Sequence, residues 1–136
     1  MNHINHELMQ QAIGQTLSHR SGNRATATSF ATAIVDLWHQ IAERLEPVIG
    51  TRGFNVLFER SIQIAGKTFP WLVLIDADKA IGVSLVGLKE ILETQEVDVA
   101  SNASYAVLVS FTDLLTSLIG ASLTDRLLRP IWAPTA

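Results

Sequence analysis

The chain contains no cysteine, which excludes a disulfide framework, a thiolate zinc site, an iron–sulfur cluster and a Cys nucleophile. Charge is scarce, at 17% of 136 residues, and its balance is −3 with an isoelectric point near 5.7. That balance argues against a protein whose task is to neutralise nucleic-acid phosphates. No apolar segment between Met1 and Gln11 could serve as a secretory h-region, so a cytoplasmic location is expected. Internal repeats and low-complexity tracts are not apparent either. What is abundant is apolar surface: 48% hydrophobic residues and a mean hydropathy of +0.27 exclude a disordered chain. A mass of 14.9 kDa suits one domain that buries about two thirds of its extended surface.

The organisation is an N-terminal arm over 1–27, with a short helix over Asn5–His19, followed by a bundle domain over 28–136. Phe30, Ile34, Leu37, Trp38, Ile41 and Leu45 share one helical face, opposite Asp36, His39, Gln40, Glu43 and Arg44. Thr28 or Ser29 suits the N-cap of this helix, and Pro47, Gly50 and Gly53 are expected to end or bend it. A second amphipathic helix carries Phe54, Phe58, Ile62, Ala65 and Phe69, and Gly66 and Pro70 finish it. The apolar run Trp71–Ile75 fits a buried strand or a helical turn. Leu85, Leu88, Ile91 and Leu92 define a third helix, and Asp98 or Ser101 opens a fourth. Ser104–Ile119 is apolar on nearly every side, as the most buried helix would be, with Ala106, Ser110, Asp113 and Ser117 as its thin side. Asp113 is expected inside, beside Ser110 or Thr116 or paired with Arg126 or Arg52, because a buried carboxylate needs a partner. The same stretch approaches a membrane-spanning length, but its several Ser and Thr and its central carboxylate argue against insertion. Ser122 and Asp125 have capping-box spacing ahead of Leu127, Leu128, Ile131 and Trp132. The fold class is therefore all-α, a single-domain bundle of four to five helices.

Several fragments resemble chemistry-bearing motifs. Gly66-Lys67-Thr68 with the run to Asp76 has the ring of a phosphate loop and its following strand, but Ser61 stands where the first glycine belongs. Asp76-Ala77-Asp78 opens like a calcium loop whose bidentate Glu position is Gly87. Asp36, His39 and Glu43 could form half of a bundle metal site, yet no facing ligands accompany them, and a solvated polar face explains them. His39 and His6 lack the neighbours of phosphotransfer histidines. No Ser/His/Asp order, nucleophile elbow or zinc-binding HExxH occurs, so neither catalysis nor a cofactor is indicated.

Val48-Ile49-Gly50-Thr51-Arg52-Gly53-Phe54-Asn55-Val56 resembles the VIGxxGxxI signature of KH domains. That resemblance implies a loop whose amides and Arg52 clamp single-stranded nucleic acid. The glycines equally suit a helix-to-helix turn. More of the chain, Phe30–Trp132, resembles a small family of bacterial helical proteins of unassigned function. The resemblance rests on Ile49-Gly50, Arg52-Gly53-Phe54, Leu57-Phe58, Arg60-Ser61, Phe69-Pro70-Trp71-Leu72, Leu118-Ile119-Gly120, and Leu123-Thr124 through Arg126, Arg129 and Trp132. It implies an all-α fold, a bacterial cytoplasmic setting and a companion role to signalling components. The expected activity is protein–protein interaction, as a homodimer or with another protein. Gly50, Arg52, Gly53, Arg60, Asp113, Arg126 and Arg129 are the candidate contacts. Single-strand nucleic-acid binding through Gly50–Gly53, or a small-ligand site in the bundle core, is the alternative.

Overall fold

A computed structural model describes residues 27–75 and 81–132. The arm, its expected helix, His3, His6 and Asp76-Ala77-Asp78 lie outside them. Among the described residues there are four α-helices, one short 3-10 helix and no strand, an all-α bundle. They are α1 (Ala27–Ala65), η1 (Pro70–Leu74), α2 (Ile81–Glu93), α3 (Val97–Ile119) and α4 (Ala121–Trp132).

α1 joins the first two expected helices into one element of 39 residues, sharply bent at Gly50 (φ 80°, ψ 161°). Pro47 does not end the helix; it sits exposed inside it, and the break comes three residues later, where only glycine tolerates the backbone. Thr28 and Ser29 lie within the helix and are not its N-cap; Thr32 Oγ1 donates to Thr28 O at 3.0 Å. α3 opens at Val97 with Glu96 as cap residue, so Asp98 falls in its first turn, where a carboxylate favours the helix dipole. Gly120 (φ 89°, ψ 157°) makes the second corner, and α4 starts at the next residue. Ser122 is therefore inside α4, not capping it. Asp125 instead pairs with Arg129 one turn on.

The organising element is α1, which packs on α2, η1, α3 and α4; its contact with α3 is the most extensive in the molecule. At the centre the Trp38 ring meets Phe58 at 5.0 Å, Phe111 at 5.1 Å and Phe54 at 6.3 Å, all edge-on. Each such pair adds about 0.5–1.5 kcal/mol beyond the area it buries. α3 is not apolar all round. Its core face is Ala100, Ala103, Ser104, Val107, Leu108, Phe111, Thr112 and Leu115, while Asn102, Asp113, Ser117 and Leu118 are exposed. Although α3 is long and apolar enough to cross a membrane by length and composition, only 39% of its most apolar stretch is buried inside the bundle.

Laid over itself with Gly50 on Gly120, the chain shows a repeat that the sequence conceals. The buried residues Phe30, Ile34, Leu37, Trp38, Ile41, Ala42, Leu45, Phe54, Phe58 and Ser61 fall on Ala100, Ser104, Val107, Leu108, Phe111, Thr112, Leu115, Thr124, Leu128 and Ile131, every one of them buried. The exposed acids Glu43 and Asp113 coincide, as do the exposed apolar residues Val48 and Leu118. α1 and α3–α4 thus share a helix–glycine–helix layout with much the same buried register, and α1 and α3 pack extensively on each other.

Candidate functional site

The surface that departs most from its surroundings is the turn after α1. Gly66 N–H still donates to Ile62 O (2.8 Å), and Phe69 N–H closes the helix end on Ala65 O (2.9 Å). Pro70 then starts a 3-10 turn, where its missing N–H costs nothing, with Leu72 N–H donating to Phe69 O at 2.9 Å and Ile75 N–H to Leu72 O at 3.0 Å. A period of three residues stacks Phe69, Leu72 and Ile75 on one side. Leu72 and Ile75 are buried, whereas Val73 and Leu74, on the other sides, are 61% and 76% exposed. The apolar run is therefore neither a strand nor fully buried, because a 3-10 period cannot hide three successive side chains.

Two glycines let this turn lie close to its neighbours. A Cβ on Gly66 would sit 2.9 Å from Val73 Cγ1, and one on Gly87 would sit 3.8 Å from Ile75 Cγ2. The second shows α2 meeting the turn at Ile75, and Val86, the preceding residue of that helix, is 61% exposed. Phe69 and Trp71, both half-buried, meet edge-on at 6.1 Å. Residues 69–75 carry no charge at all. Val73 and Leu74 are thus exposed apolar side chains on the turn, and Val86 on the helix that meets it.

The sequence-derived candidates lie elsewhere. Gly50 is an exposed one-residue corner, and Thr51, Arg52 and Gly53 already belong to the following helical arm. No Gly-x-x-Gly loop exists there to clamp a nucleic-acid backbone. Arg52, Arg60, Arg126 and Arg129 are all exposed, with Arg129 paired to Asp125. Asp113 is exposed too, on the outer side of α3, contrary to the interior place expected for it. An acid at the centre of an apolar stretch lies outside because the helix buries one face and not its whole circumference. Asp36, His39 and Glu43 are likewise exposed, and no group of metal-binding side chains occurs among the described residues.

Arg44 was not among the candidates, yet its Nε donates to Leu127 O and ties α1 to α4. An Arg that reaches the backbone of another helix carries no periodic signal in the sequence. The buried hydroxyls of Ser104 and Thr124 have no hydrogen-bond partner. Comparison with known proteins adds no relative: no family model, no curated protein and no solved structure matches the chain.

Proposed function

We propose that this chain is a non-catalytic helical-bundle protein of the bacterial cytoplasm that acts by protein–protein contact, a second copy of itself first, as an accessory to signalling components. The observation that carries this reading is the exposure of Val73 and Leu74 on the turn and of Val86 on the helix that meets it. Burying such side chains gives roughly 1.5–3 kcal/mol each, so leaving them in water is a standing incentive to associate. Residues 69–75 themselves carry no ion to desolvate.

The test is amide hydrogen exchange at low and high protein concentration. Association through the turn slows exchange over 69–75 and the adjoining α2 as concentration rises, while exchange around Asp113 stays constant. Equal exchange at both concentrations overturns self-association through this surface.

A further inference from the structure

We infer that Gly120 is an exchange hinge: its corner opens so that α4 leaves its own bundle and docks in the same place on a second copy. α3 and α4 then run as one continuous helix. The connection between them is a single residue, and its conformation (φ 89°, ψ 157°) is accessible essentially to glycine alone. Nothing lies within 4 Å of the position a Cβ would occupy, so alanine there meets no steric obstacle and only the backbone conformation opposes it. Turning Gly120 to helical angles merges two helices already in register with its neighbours. The contacts of α4 with α1, including the bond from Arg44 to Leu127 O, are then remade between chains and not lost.

Two further features favour this corner. Leu118, 59% exposed and two residues before the hinge, lies where two opened helices cross at the two-fold axis, and a second copy covers it. Among the described residues the hinge is followed by α4 alone. Gly50, the equivalent corner in the first unit, is followed by η1, α2, α3 and α4, and opening it would detach most of the bundle. It serves as the internal control.

Alanine at position 120 is strained in the closed corner and favoured in a helix, which shifts each chain toward the open form by roughly ten- to a hundred-fold. The experiment uses Gly120→Ala in a Leu74→Asp background, so that the apolar turn contributes no association. The cysteine-free chain allows spin labels on Asp98→Cys and Arg129→Cys, both exposed, with labelled chains diluted into unlabelled ones. One continuous helix separates these positions by roughly 45 Å, from its rise per residue. A dimer in sedimentation together with this long intrachain distance is the expected result, and Gly50→Ala in the same background stays monomeric. A monomeric Gly120→Ala with only the short distance of the folded-back corner overturns the hinge. Should Gly120→Ala fail to fold, the labelled Leu74→Asp chain with its native Gly120 is refolded from denaturant at rising concentration. A long-distance population that grows with concentration supports the hinge, and its absence throughout overturns it.

Discussion

Trp38 is the side chain on which the two units meet, since its ring touches Phe54 and Phe58 of its own unit and Phe111 of the other. Trp38→Ala should cost at least about 3–5 kcal/mol, read as a lowered urea midpoint with loss of cooperativity. Asp113→Ala makes the opposite case. An exposed carboxylate on α3, even with a surface partner, should change stability by no more than about 1 kcal/mol, and a shift of 2 kcal/mol would mean that it is held inside after all. Thr124→Val removes a buried hydroxyl without a hydrogen-bond partner and keeps the shape, so it should be neutral or raise the melting temperature. At this scale the core was legible: Phe30, Ile34, Leu37, Trp38, Ile41 and Leu45 share a face in the sequence, and all are buried. Asp113 was not, because apolar content around a residue says how much of a helix is hydrophobic and not which side of it faces the core.

The glycines divide by what surrounds them. Gly50→Ala and Gly120→Ala meet empty space but a positive φ, and each should lower the stability of the closed monomer by about 1–3 kcal/mol. Gly87→Ala is the reverse, a helical position with only an ordinary contact to Ile75, where the gain in helix propensity should stabilise by about 0.5–1 kcal/mol. A thermal melt series over the three variants checks the order. Helix existence was readable from periodicity, and the first corner was flagged by Gly50 itself. Its form was not, because Pro47 and the Gly50–Gly53 pair suggest a loop. A single residue suffices once its φ turns positive. The turn at Pro70–Leu74 escaped assignment for a related reason: five apolar residues fit strand and helix equally, and a 3-10 period was not distinguishable from either.

Across the whole molecule, the pairing of two like units explains why α1 and α3 dominate the core. Identity between the two halves in sequence is slight. Gly50 and Gly120, Ile49 and Ile119, Leu45 and Leu115, and Leu57 and Leu127 are identical pairs, but Trp38 corresponds to Leu108, Phe54 to Thr124 and Ile34 to Ser104. The exchanges of large for small and apolar for polar keep the buried register while erasing the likeness. The candidate surface was hidden for the opposite reason, since an uninterrupted apolar run predicts burial and only the backbone period reveals which members are left outside. Sedimentation equilibrium of the parent beside Leu74→Asp tests the interaction reading most directly. A reversible dimer in the micromolar range, weakened at least about tenfold by Leu74→Asp with little change in melting temperature, is the predicted result. A parent that stays monomeric at high micromolar concentration, or a dimer indifferent to Leu74→Asp, would contradict it.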